Sequence, residues 1–127
     1  MDITPLVKPE LKMIQSYGAG FFRVNGVIFK NPIVVVGESV SVWADSATDP
    51  LIFLGDVGND LRALVGQVDM VLIGTGAHSR VVPPKQRAVL SAQMGCVIDV
   101  MDTPSACRTY NVLTAEGRRV AAAMFLV

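Results

Sequence analysis

The residues whose types and spacing could do chemistry fall into two stretches. The first is Gly74-Thr75-Gly76, with His78 and Arg80 close behind it. Glycines let a backbone turn sharply and gather its N–H groups, and such groups beside a guanidinium can cradle an anion. The chemistry would be binding of a small anionic metabolite by the N–H groups of residues 74–77, helped by Arg80 or Lys85. His78 is the only histidine of the chain and could act there as a general base. The purely structural reading is that the glycines let a strand, a loop and a helix pack closely. That reading takes precedence, because fold features outnumber sites.

The second stretch runs from Asp102 to Val120 and contains Thr103, Tyr110, Asn111 and Arg118. Tyr110 and Asn111 are polar residues inside an otherwise packing helix, and Glu116-Gly117-Arg118-Arg119 concentrates charge at its exit. The plain reading is that Glu116 pairs with an arginine and the Tyr110 hydroxyl ties down a loop. The sharper one is a pocket lined by the Gly74 loop and the first turns of this helix, with Thr103 beside the loop. The candidate ligand-binding set is then Gly74, Thr75, Gly76, His78, Arg80, Thr103, Tyr110, Asn111 and Arg118. No residue is assigned a catalytic role.

Several chemistries are excluded by spacing. A dinucleotide fingerprint would need a third glycine where Ser79 stands, a helix starting at the second glycine rather than after Pro83-Pro84, and an acidic residue about 20 positions on. There is no P-loop and no nucleophile elbow. One histidine and two distant cysteines, Cys96 and Cys107, make no metal site and no redox pair; no cofactor is expected. Asp99 and Asp102 could be paired carboxylates at a strand end, but Asp102 is better read as negative charge favoured at a helix N-terminus.

The elements that must position these residues follow from the pattern. Met70 to Ile73 is an apolar, mostly β-branched run, the mark of a strand buried on both faces. Cys96 to Met101 reads as a second such strand. Between them, Pro83-Pro84 delays a helix over Lys85 to Met94, with Pro84 as its first residue and Gly95 as its stop. Thr103 is read as a helix cap before Pro104, with Ala106, Tyr110 and Leu113 as the packing stripe and Gly117 as the stop. Arg119 to Val127 is a final strand. Upstream, Asp56 can cap a helix with Val57, Leu61, Leu64 and Val65 on one face, ended by Gly66.

Residues 1–10 read as an irregular lead-in. Residues 11–43 read as an antiparallel meander, with a tight hairpin at Asn25-Gly26 and an alternating strand at Val40 to Trp43. Residues 51–127 form the α/β part, with Leu51 to Leu54 ambiguous between strand and loop. Strands at 68–73 and 96–101, joined by one helix, should be parallel and adjacent, so that residues 74–77 and 103–106 lie side by side. The expected fold is one α/β domain over 1–127: three layers, a mixed central sheet with helices, and an additional antiparallel β-meander layer.

Composition bounds the partners. The chain has 127 residues, 51% of them hydrophobic, with 11 basic and 11 acidic side chains. A nucleic-acid binder normally carries a basic excess, which is missing. Zero net charge with a mean hydropathy of +0.47 implies apolar surface covered by a protein partner or by a second copy in a homo-oligomer. No apolar stretch reaches the roughly 20 residues of a membrane span, so no membrane insertion is expected. Met1 to Glu10 has neither the signature of a signal peptide nor that of a mitochondrial presequence, which makes the cytoplasm the expected location.

One set of motifs resembles a known family. Tyr17-Gly18-x-Gly20-Phe21, Val24-Asn25-Gly26, Trp43, Ile73-Gly74-Thr75-Gly76, Asp102-Thr103, Ala106-Cys107-x-Thr109-Tyr110-Asn111-x-Leu113 and Glu116-Gly117-Arg118-Arg119-Val120-x-Ala122-Ala123 are similar to the domain-of-unknown-function 498 family. That family includes a mitochondrial complex I assembly factor and an adipogenesis-associated cytosolic protein. The resemblance spans about Tyr17 to Met124. It implies a three-layer α/β fold with an added β-layer, and it supplies no catalytic residues to carry over. The leading functional expectation is a non-catalytic binding or assembly-factor-like domain, helping to assemble a respiratory complex by analogy. The competing expectation is a metabolite-binding domain or small enzyme using the strand-end pocket.

Overall fold

The computed structural model describes residues 10–43 and 61–127. Five strands come first: β1 (Ile14–Gly18), β2 (Phe21–Val24), β3 (Val27–Phe29), β4 (Ile33–Val36) and β5 (Ser39–Val42). Then follow β6 (Met70–Gly74), α1 (Pro84–Met94), β7 (Val97–Met101), α2 (Thr103–Ala115) and β8 (Val120–Met124). β1, β2 and β3 form an antiparallel sheet of their own, while the other strands form a five-stranded sheet in the order β5-β4-β8-β6-β7. In it β5, β4 and β8 are antiparallel neighbours, and β8, β6 and β7 run parallel.

The helices lie on opposite faces for a topological reason. The α1 crossover moves outward from β6 to the edge strand β7, and the α2 crossover moves back past β6 to β8. Right-handed crossovers in opposite directions place their helices on opposite faces. Residues alternate between the two faces accordingly. Val34, Val71, Ile73, Ala121 and Ala123 pack with Leu90 and Met94 of α1. Ile33, Val35, Leu72, Ala122 and Met124 pack with Ala106, Cys107 and Tyr110 of α2. The small sheet covers the second face too, through Ile14, Phe22 and Val24. The result is the expected three-layer α/β architecture with a mixed central sheet.

The expected meander over 11–43 divides. β1 to β3 form the separate layer, but β4 and β5 belong to the central sheet. The physical reason is the run Ile33-Val34-Val35-Val36, whose first three residues are buried. An apolar run of that kind needs cover on both faces, and it finds it beside β8. The middle strand is therefore the C-terminal β8, every residue of which is buried. The hairpin at Asn25-Gly26 is present, with φ of 46° and 86°, the left-handed pair that matches strand twist.

At the helix ends, α1 starts at Pro84 and stops at Gly95 in the left-handed region (φ 64°), as expected. At α2 the cap is a correction. Asp102, not Thr103, is the cap, its Oδ1 accepting from the Ser105 N–H at 2.7 Å, while Thr103 is already helical. Both residues are capping types, and the shorter reach of Thr103 is spent elsewhere, as described below. Gly117 (φ 82°) closes α2: its N–H bonds the Thr114 carbonyl and that of Arg118 bonds Leu113, a Schellman arrangement. Of the helix expected around Val57 to Val65, only its end falls among the described residues, where Leu61 and Arg62 are helical. Residues 1–9, and the loop and segment read at Ala44 to Leu54, lie outside them. No helix among the described residues is long and apolar enough to cross a membrane.

Two side chains of α2 hold the backbone of the small sheet and of the segment leading into it. Asn111 accepts from the Ile14 N–H at 2.9 Å and donates to the Ile14 carbonyl at 2.8 Å, and the Tyr110 hydroxyl donates to the Lys12 carbonyl at 2.8 Å. Asn111→Ala would leave two partly buried backbone groups without partners, so we expect a loss of about 2–3 kcal/mol, against about 1 kcal/mol for Tyr110→Phe. Urea unfolding with an unchanged m value measures both. An Asn111→Ala loss below about 0.5 kcal/mol, the range of neutral surface changes, would mean that the layer is held by packing alone.

Candidate functional site

The carboxyl ends of β6, β7 and β8 meet at one place, where open α/β sheets usually take ligands. The expected neighbours are side by side: the Thr103 N–H donates to the Gly76 carbonyl at 2.8 Å, and the Gly76 N–H donates to the Thr103 hydroxyl at 2.9 Å. That hydroxyl donates in turn to the Phe125 carbonyl at 2.8 Å. The Thr75 N–H goes to the Met101 carbonyl and the Phe125 N–H to the Gly74 carbonyl, both at 2.9 Å. The Thr75 hydroxyl donates to the His78 carbonyl at 2.7 Å.

This geometry sets what the mouth can do. The N–H groups of Thr75, Gly76, Thr103 and Ser105 are already bonded within the chain, so they are not open to an anion. His78 and Arg80 are exposed on the rim, whereas Thr75 and Thr103 are buried as bolts between elements. Gly74 explains why such a fit is possible. A Cβ there would lie 2.8 Å from Thr103 Oγ1 and 3.1 Å from Thr103 Cα. Gly76 has φ +100° and faces the Leu126 carbonyl at 3.2 Å from a Cβ position.

The remaining candidates sit elsewhere. Tyr110 and Asn111 hold the small sheet, as shown above. Arg118 lies at the opposite end of the sheet, roughly 13 Å away along β6 at 3.3 Å per residue. There the starts of β6 and β8, the end of β4 and the end of α2 leave two clefts of about 420 and 410 Å³, which share Gly117 to Val120. Arg119 makes a two-point pair with Asp69, at 2.7 and 3.3 Å, and its hydrogen bond holds the Asp69 carboxyl below its usual range. Arg118 has only a loose contact with Glu116, at 3.7 Å. The clefts were not read from the sequence, although the charge cluster at Glu116 to Arg119 was its visible signal.

Thiol chemistry is muted. Burial pushes the Cys107 thiol up to about 12, and it also raises Cys96, so neither carries thiolate character at neutral pH. No group of three or more histidine, cysteine or acidic side chains is placed to hold a metal among the described residues.

Two outcomes follow from the bonded mouth. Gly74→Ala should destabilise by about 2–3 kcal/mol through overpacking, and Gly76→Ala by more than about 1 kcal/mol through its φ. Thr103→Val should fall in the range of Gly74→Ala, while Thr103→Ser recovers most of the loss; chemical denaturation ranks the four, and wild-type stability of Gly74→Ala would contradict the close approach. The Asp102 carboxyl is held below its usual range by the Ser105 N–H. A depressed carboxyl stabilises above its unfolded pKa and stops doing so as pH falls through the folded one. The stability gap between wild type and Asp102→Ala should therefore be full at pH 7 and narrow below about pH 4; a gap constant down to pH 2 would separate the cap from the charge.

An uncharacterised protein of Rhodobacter capsulatus is 40% identical over 111 residues, covering 87% of this chain and 82% of its own. The bovine NADH dehydrogenase [ubiquinone] 1 alpha subcomplex assembly factor 3 is 32% identical over 117 residues, which is 91% of this chain but 61% of that relative's length. A crystal structure of a Bordetella parapertussis protein superposes with a TM-score of 0.78 at 34% identity, covering 92% of this chain and 97% of that one. The family profile described as protein of unknown function (DUF498/DUF598) matches residues 14–125, from the first residue of β1 to just past the end of β8. The motifs read from the sequence and the fold that they build thus agree: the chain belongs to the DUF498/DUF598 family.

Proposed function

We propose that this chain is a non-catalytic protein-binding domain of the assembly-factor kind, acting in the cytoplasm on a respiratory complex under construction. The observation that carries this reading is the match to the bovine assembly factor, which takes in 91% of the chain and hence nearly all of its described elements. Two features support it. The strand-end mouth spends its donors on the fold itself, and both thiols are raised rather than activated. Valines remain outside as single contacts that a partner could cover, Val81 at 90% exposed and Val97 and Val112 at 56% each.

Deletion of the gene in its host tests the reading. We expect less assembled NADH dehydrogenase on native gels with its subunit transcripts unchanged, and recovery by the wild-type chain. Unchanged levels of the assembled complex would sink it. A second reading, a small anion held by side chains on the rim of the strand-end mouth, is favoured by the exposure of His78 and Arg80 there. A thermal-shift screen with phosphate and small carboxylates separates the two, since a ligand of the folded state raises the melting temperature and an Arg80→Gln chain would lose that rise.

A further inference from the structure

We propose that the larger cleft, at the end of the sheet opposite the bonded mouth, is a binding site for a small organic acid with one carboxylate and a short apolar body. Its volume of about 420 Å³ falls in the range of small-molecule sites, which are mostly apolar with a few polar groups that fix orientation. Its walls include Leu11, Val36, Val68, Ala115 and Val120, and its charged lining among the described residues is Arg118 and Arg119, with no acidic residue among them. The smaller cleft differs on this point, because Asp69 lines it.

The two arginines are not equivalent. Arg119 is committed to Asp69 through two bonds. Arg118 meets Glu116 only at 3.7 Å, with the two side chains 66% and 56% exposed. An exposed pair of that kind is worth little, so its guanidinium can exchange Glu116 for a ligand carboxylate, which it suits as a planar two-point donor. A helix C-terminus repels anions, and α2 ends here. That effect is blunted because the Val112, Leu113 and Thr114 carbonyls already accept bonds from Glu116, Arg118 and Gly117.

Thr114 also lines the cleft, but it is only 5% exposed. Its Oγ1 lies beneath the wall, in hydrogen-bonding contact with the Tyr110 hydroxyl, which donates to the Lys12 carbonyl and keeps lone pairs to accept. The polar group that can meet a ligand in this cleft is therefore the Arg118 guanidinium, with the apolar body lying along Val36 and Val68.

The probe is hexanoate, titrated into the isotope-labelled chain and followed by amide shifts, with hexanol as the neutral control and inorganic phosphate as the headgroup without a body. We expect saturable shifts confined to Val36, Gly37, Thr114 and residues 117–120. We expect affinity to fall at least about tenfold for hexanol, for phosphate and for Arg118→Gln, a factor of 10 being about 1.4 kcal/mol. Arg118→Gln alters an exposed side chain, so its spectrum should otherwise match the wild type. Absence of saturable shifts at these amides, equal binding of hexanol, or hexanoate bound undiminished by Arg118→Gln would each overturn the assignment. Shifts centred on residues 74–80 instead would overturn it in favour of the strand-end mouth.

Discussion

The Thr103 side chain is the joint on which the rest of the molecule depends. One hydroxyl accepts from the Gly76 N–H and donates to the Phe125 carbonyl, while the same residue's N–H reaches back to Gly76. It therefore joins the loop after β6, the start of α2 and the end of β8, three segments far apart in sequence. A hydroxyl can do this because it is donor and acceptor at once. The joint is wholly buried, where bonds are stronger than in water and an unmet group is expensive. It works only because Gly74 has no side chain to hold Thr103 away. The glycine-threonine spacing that suggests an anion cradle thus serves chain closure.

Closure at this end has consequences for the layers. With the carboxyl ends of β6, β7 and β8 tied together, β8 is fixed as the middle strand, and its alanines admit α1 on one face and α2 with the small sheet on the other. Larger residues at 121 to 123 would push both covers outward at once, since interiors are close-packed. α2 then serves two masters. Its Ala106 and Cys107 pack on the central sheet, and its Tyr110 and Asn111 reach the small sheet. The polar residues inside that helix meet the backbone at Lys12 and Ile14, beside the apolar contacts made by Ile14, Phe22 and Val24.

Much of this was legible in the sequence, and the exceptions have physical causes. β6, α1, β7 and the hairpin at Asn25-Gly26 carry strong local signals: β-branched runs, a proline start, a left-handed turn pair; but β7, read as buried on both faces, is an edge strand with Val97 56% exposed. The plain readings of Glu116 and Tyr110 match the contacts seen. The division of the meander was not visible, because the run at Ile33 to Val36 reads as a strand in either sheet and only β8 decides which. β8 itself is poor in β-branched residues, so its place in the centre comes from tertiary cover and not from propensity. The cap at Asp102 was hidden by Thr103, whose type suits a cap as well but whose hydroxyl is taken. The clefts were out of reach, because they need residues from β4, α2 and β8 that only the sheet order brings together.

The two ends of the sheet then differ in kind. At the carboxyl ends, polar groups face one another and cancel; at the other end, Arg118 has only a loose contact with Glu116, at 3.7 Å. Stability favours the first condition and binding requires the second, because a group already satisfied gains nothing from a ligand. Among the described residues, the Arg118 end and the scattered exposed valines are surfaces that can still gain by contact.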